Sequence, residues 1–353
     1  MDVRSERGVR AHQRRLQNLT NGTTKDTKDT KENVTQATTQ TRKDFLSVLD
    51  FDPADLERCL QLAAHLKADR ALGRHAPTAD ALNGRHLAML FDKPSLRTRT
   101  TFEIAVRELG GHVVPVQADV ALGRREPVAD VARNLERWVD GVIILTFSQE
   151  VLQQFAAAAR RLHVINALTD DEHPCQAIAD FLTLQERFGQ LRGRTIAYVG
   201  DGNNVATSLV HAAAMLGVHV HVASPEAYQL PHAVVQQATS HARHGARVRL
   251  FNDAADAVVG AHTVYTDTWT SMGREDEADV RRRVFAPYQV NEELMALARP
   301  GALFMHCLPA HRGEEVTAEV FESETSVVFD QAENRLHGQK ALLLMLLAPS
   351  TTL

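Results

Sequence analysis

From Phe45 onward the chain alternates short apolar runs with helical periods, and this alternation restricts the fold more than any other feature. Apolar runs lie at His86–Phe91, His112–Val116, Gly141–Phe147 and His163–Ala167. Between them Val128, Val131, Leu135 and Trp138 recur three, four and three residues apart, as one face of a helix requires. A polar connector, Gln185 to Arg194, precedes a second series at Thr195–Val199, Val218–Ala223, Val248–Phe251, His262–Thr266, Leu303–Leu308 and Ser326–Phe329. Strands alternating with helices build parallel sheets covered on both faces. Two such series predict an α/β chain of two doubly wound parallel-sheet domains with an interdomain cleft. The expected domain spans are 44–188 and 189–332. A helix from about Glu333 to Leu347, apolar nearly all round after Lys340, is expected to be buried and to pack back on the first domain within residues 333–353.

Residues 1–43 read differently. Thr23–Thr41 carries a Thr-Lys-Asp repeat with almost nothing apolar, so burial cannot offset ordering entropy and a disordered N-terminal tail is expected. The net charge of −5 over 353 residues offers no basic field for a phosphate backbone, which argues against nucleic-acid binding. No run approaches the ~18 apolar residues of a membrane span. Cys59, Cys175 and Cys307 are odd in number and widely spaced, which points to a reducing, cytoplasmic compartment rather than a disulfide framework. Cys59 shares a helical spacing with Leu56, Leu60 and Ala63 and reads as core. No CxxC or HExxH pattern is present, so no metal is expected.

Five segments carry chemistry. Ser95-Leu96-Arg97-Thr98-Arg99-Thr100 follows a strand and opens a helix, where free N–H groups, two guanidinium groups and three hydroxyls make an anion cradle. His173-Pro174-Cys175-Gln176 opens another helix, and its imidazole can donate to a carbonyl or phosphate oxygen. Asp267 and Ser271, four residues apart, with the backbone of Met272, offer a site for an amino acid's ammonium and side chain. His306-Cys307-Leu308-Pro309 and Glu333-Asn334-Arg335 complete the set. All five are expected where strands run into their following loops, the ligand-binding edge of open α/β sheets.

SLRTRT, HPCQ, DGNN, DTWTSMG, HCLP and ENR, in this order, resemble the aspartate/ornithine carbamoyltransferase family over about residues 44–350. DxxxSMG with HCLPAHRGEEV is similar to the ornithine branch. The resemblance implies an enzyme that moves the carbamoyl group of carbamoyl phosphate to L-ornithine, with no cofactor, as a homotrimer. It implies that Ser95, the Leu96 N–H, Arg97 and Thr98 hold the phosphate. His173, Gln176 and Arg335 would bind carbamoyl and phosphate oxygens with the backbone around Cys307 and Leu308. Asn204, Asp267, Ser271 and Met272 would bind ornithine. Arg97, His173, Cys307 and Asp267 are the expected catalytic groups.

The pattern has one serious departure. Leu145 stands where the family ordinarily places an arginine that reaches the carbamoyl phosphate, and nothing between Asp140 and Ala159 replaces it. Ala121, where many members carry a polar residue, is a milder one. Leu145 leaves open an impaired or silent paralogue, or a carbamoyltransferase for another amine or acyl-phosphate donor. A dinucleotide reading of Gly200-Asp201-Gly202 is weak, since the third glycine is Val205 and no acidic residue ends the next strand.

Overall fold

The computed structural model describes residues 44–117, 122, 125–271, 273 and 275–349. The tail expected at 1–43, Ala121 and Met272 lie outside the described residues. Four parallel strands, β1 (His86–Phe91), β2 (His112–Gln117), β3 (Gly141–Leu145) and β4 (His163–Leu168), form one sheet in the order β2-β1-β3-β4. Five more, β5 (Thr195–Val199), β6 (His219–Ala223), β7 (Val248–Phe251), β8 (Thr263–Thr266) and β9 (Leu303–His306), form a second parallel sheet ordered β7-β6-β5-β8-β9.

Parallel strands need crossover helices, which bury both sheet faces and allow continuous apolar sequence. Central β3 (GVIIL) is accordingly buried at every residue, whereas edge strands β2 and β7 are largely open. In the first half the helices are α1 (Pro53–Asp69), α2 (Leu96–Glu108), α3 (Val128–Leu135), α4 (Gln149–Ala158) and α5 (Pro174–Phe188). The second half carries α6 (Asn204–Leu216), α7 (His232–Ser240), α8 (Ala254–Val258), α9 (Ala278–Phe285), α10 (Glu292–Leu297), α11 (Ala318–Phe321) and α12 (Val328–Leu347). One contiguous apolar cluster joins the halves, including Leu87, Ile143, Ile178, Tyr198, Leu209 and Leu342. Helix α12 packs against α5, α1 and α2, and more lightly on β9.

The final strand expected at Ser326–Phe329 is not formed. Ser326 makes an isolated bridge to Phe304, and the chain enters α12 at Val328. A run of three apolar residues, Val327 to Phe329, fits a strand or the first turn of a buried helix equally, and only packing decides.

Candidate functional site

Each sheet reverses strand order once, between β1 and β3 and between β5 and β8. Ligands bind at such points because the outgoing loops diverge there. The loops beyond both reversals line one cleft of about 1480 Å³. Ser95, Leu96, Arg97, Thr98, His173, Asn204, Asp267, Ser271, Cys307, Leu308 and Arg335 all reach it.

At the start of α2, Ser95 occupies the cap position in extended conformation, yet its hydroxyl makes no capping bond. Leu96 is 76% exposed, so only its backbone serves the helix end. The Arg97 guanidinium has no hydrogen bond or ion pair among the described residues. Burial lowers its pKa, opposed by Cys307 and Asp267. Thr98 is buried and its Oγ1 accepts from an Arg335 nitrogen at 2.7 Å. Arg99 lies over the Phe91 ring at 4.8 Å and does not line the cleft, nor does Thr100, so the cradle is narrower than the sequence suggested.

Arg335 reaches from α12 to α2 and α5. Its second terminal nitrogen donates to Gln176 Oε1 at 2.6 Å, while Gln176 Nε2 donates to Asp180 Oδ1 at 2.7 Å. Gln176 therefore meets the cleft through Arg335 rather than directly. His173 precedes α5 and its N–H donates to Ser208 Oγ at 2.9 Å; Nδ1 is buried without a partner. Burial, with Arg335, Lys93 and Arg97 close by, pushes the imidazole well below its ordinary pKa, leaving a neutral hydrogen-bonding ring. The loop ahead of it is pinned by Glu172, whose carboxylate accepts from the Ser208 hydroxyl at 2.9 Å and the Val48 N–H at 3.2 Å.

Asp180 gathers Gln176 from α5, Gln331 from α12 at 2.7 Å and the Tyr265 hydroxyl from β8 at 3.2 Å. Burial raises its pKa from 3.8 to about 7 against those three donors. The folded state thus holds a proton that the unfolded chain releases above its own, lower pKa. The associated stability is full below that value and is lost as pH rises through about 7. In urea unfolding, the stability of the native chain relative to Asp180→Asn should fall by about 2–3 kcal/mol from pH 5 to pH 8. A pH-independent difference would show that Asp180 stays ionised.

In the second half, Asp267 directly follows β8. Its Oδ1 accepts from Cys307 Sγ and the Thr268 N–H at 2.9 and 2.7 Å, and its Oδ2 accepts from Asn203 Nδ2 at 2.7 Å. Burial and Asp267 push the Cys307 thiol well above its ordinary pKa, so it is a donor and not a base. Asn203, which sequence reasoning passed over, also caps α6 through the Val205 and Ala206 N–H groups. Neighbouring Asn204 donates across to the Thr169 carbonyl of the first half. Gly202 approaches residues 228–230 so closely that a Cβ would lie 2.4 Å from the Leu230 nitrogen. The glycine of that loop serves chain packing, which removes the dinucleotide reading.

Leu145 is 1% exposed and forms part of the cleft wall at the end of β3. Beyond it, Phe147 meets the turn at Gly273, where a Cβ would sit 2.9 Å from Phe147 Cε1. Lys93, absent from the sequence-derived site, is 4% exposed on the same wall, with Nζ 2.6 Å from Asp170 Oδ1. Two groups of possible metal ligands occur among the described residues, Asp267–His306–Cys307 and His311–Glu314–Glu315. In the first, the thiol and carboxylate bond each other, and the His306 nitrogens engage the Leu308 N–H and Glu315.

The family profile described as aspartate/ornithine carbamoyltransferase, carbamoyl-P binding domain, matches residues 43–186, and the Asp/Orn binding domain of the same family matches 192–346. The chain is 51% identical over 314 residues to an ornithine carbamoyltransferase of Symbiobacterium thermophilum, covering 88% of this chain and 100% of the relative. A Thermus thermophilus relative of the same name is 48% identical over 306 residues, covering 86% and 97%. The solved Pyrococcus furiosus ornithine carbamoyltransferase superposes with a TM-score of 0.82 at 45% identity, over 86% of this chain and 96% of that one.

Proposed function

The chain belongs to the aspartate/ornithine carbamoyltransferase family, and from that membership we propose that it transfers the carbamoyl group of carbamoyl phosphate to the δ-amine of L-ornithine, giving L-citrulline and phosphate in arginine metabolism. The observation that carries this reading is one cleft with a cationic cradle on one wall and the Asp267–Cys307 pair on the other.

The phosphate rests on the uncapped first turn of α2, where the helix dipole, Ser95 and the unpaired Arg97 favour a dianion. Thr98, Arg335 and the neutral His173 face the carbamoyl oxygen and stabilise the charge that grows on it. Asp267, Ser271, Met272 and Asn204 hold the amino acid, with Asp267 suited to its ammonium. The neutral δ-amine attacks the carbamoyl carbon, the C–N bond forms, the C–O bond to phosphate breaks, and the amine's proton leaves on the departing phosphate. Neither Cys307, a thiol, nor the depressed His173 fits a general base at neutral pH. Positioning of the two substrates is the larger contribution. The assembly follows the family expectation of a cytoplasmic homotrimer.

The purified chain should form citrulline from carbamoyl phosphate and ornithine. Asp267→Asn should raise the ornithine KM by about 10- to 100-fold, the loss of a charge-assisted bond, with carbamoyl phosphate binding nearly unchanged. Carbamoyl phosphate binding without any citrulline would overturn the reading and favour a silent or redirected paralogue.

A further inference from the structure

His173 owes its place in the cleft to a contact made outside it. Its ring has no anchor at Nδ1, which is buried without a hydrogen-bond partner. Its backbone, at φ −127° and ψ 66°, belongs neither to a strand nor to α5, which begins one residue later. A ring tethered so little takes its aim from its backbone, and that backbone is fixed from the second half. The His173 N–H donates to Ser208 Oγ on α6 at 2.9 Å, and the Ser208 hydroxyl donates in turn to Glu172 Oε2 at 2.9 Å.

Glu172 is buried, and a carboxylate is tolerated there only where donors surround it. They arrive from two segments. The Ser47 hydroxyl and the Val48 N–H, the latter at 3.2 Å, come from the turn ahead of α1. Ser208 and His211, whose Nδ1 lies 3.4 Å from Glu172 Oε1, come from α6. Asn204, Ser208 and His211 follow one another four and three residues apart, a single stripe of that helix. Asn204 donates to the Thr169 carbonyl, so the stripe ties the loop 169–173 to the second half twice. Only the Glu172 tie passes through the serine that also holds His173.

We propose that Glu172 is a positioning residue: by taking the Ser208 hydroxyl proton it turns that oxygen's lone pairs to the His173 N–H, and so aims the imidazole at the carbamoyl oxygen. A serine hydroxyl rotates freely and offers its proton to whatever acceptor is near. With the proton committed to Glu172, the oxygen is a fixed acceptor, and each bond of the chain strengthens the next. The inference rests on the carbamoyl-phosphate reading of the cleft. The competing role is anchorage alone, with Glu172 serving to seat the turn at 47–50.

Calorimetric titration of carbamoyl phosphate into the full chain, with citrulline formation measured beside it, separates the two. Glu172→Ala and Ser208→Ala should each weaken binding a few-fold and lower kcat by about 10-fold or more, because a misaimed ring costs most where charge develops. The double variant should lose little more than either alone, since both act through one bond. Glu172→Gln, whose carbonyl keeps an acceptor for Ser208, should recover most of the loss. Ser47→Ala should lower the melting temperature and leave binding and kcat near native values. Additive losses in the double variant, or a Ser47→Ala loss as large as that of Ser208→Ala, would assign Glu172 to anchorage and overturn the proposal, as would an unaffected Glu172→Ala. If Glu172→Ala does not fold, the comparison of Ser208→Ala with Ser47→Ala decides in the same sense. A native chain that binds carbamoyl phosphate yet makes no citrulline refutes the transfer reaction, and the binding losses still decide the role of Glu172. Native turnover untouched by Glu172→Ala refutes only this inference.

Discussion

Replacing Arg335 by leucine should lower kcat/KM for carbamoyl phosphate by about 10³-fold or more. Its guanidinium donates to Thr98 on α2 and Gln176 on α5, so it fixes both helix starts that face the phosphate. On the proposed reading it also faces the carbamoyl oxygen, and charge-assisted bonds to the acyl phosphate at roughly 1.5–3 kcal/mol each, lost together with that fixing, give a deficit of that order. The loss should fall on kcat as well as KM, because the oxyanion position shifts with Thr98. Unfolding measurements should show about 2–6 kcal/mol of lost stability, since two buried neutral oxygens are left without their donor. Arg335→Lys keeps the charge but not the two-pronged geometry, and should recover only part of the rate. A leucine variant with near-native kcat/KM would reduce Arg335 to a packing residue.

Leu145→Arg should act in the opposite direction. A guanidinium on the end of β3 adds a charged hydrogen bond to the acyl phosphate, worth roughly 1.5–3 kcal/mol or about 10- to 150-fold in kcat/KM. The gain has a signature. Without ligand the new cation sits in an apolar wall and should lower the melting temperature; added carbamoyl phosphate should raise it by more than it does in the native chain. A slower Leu145→Arg enzyme would mean that the apolar wall shapes the donor pocket, and would revive a different acyl-phosphate donor.

Much of this was legible in the sequence because the signals are local. The strand at His86–Phe91 and the SLRTRT helix start are each written in a dozen residues, and the structure places them as expected. What escaped depends on contacts between distant segments. Asn203 and Asn204 are adjacent and chemically identical, yet one turns inward to cap α6 and hold Asp267 while the other reaches Thr169. Nothing in the sequence sets that phase. Asp180 reads as an ordinary helix carboxylate until Gln331 arrives from 151 residues away. Lys93 was hidden in an FDKP turn whose lysine would normally be solvated, and only its burial marks it. The Ser326–Phe329 error has the same origin, a short apolar run whose form is decided by what it packs against.

Thr98 and the residue that locks it lie 237 positions apart. During synthesis the first sheet and the start of α2 emerge early, and domains fold in the order they appear. Such an intermediate would present Arg97 and a helix end, but no guanidinium to join Thr98 to Gln176. Tight capture of the acyl phosphate must therefore wait until α12 has been made and has docked. A message or chain cut short between Pro309 and Arg335 yields a product that holds most of the motifs and almost none of the affinity, so substrate retention itself reports that translation ran past that point.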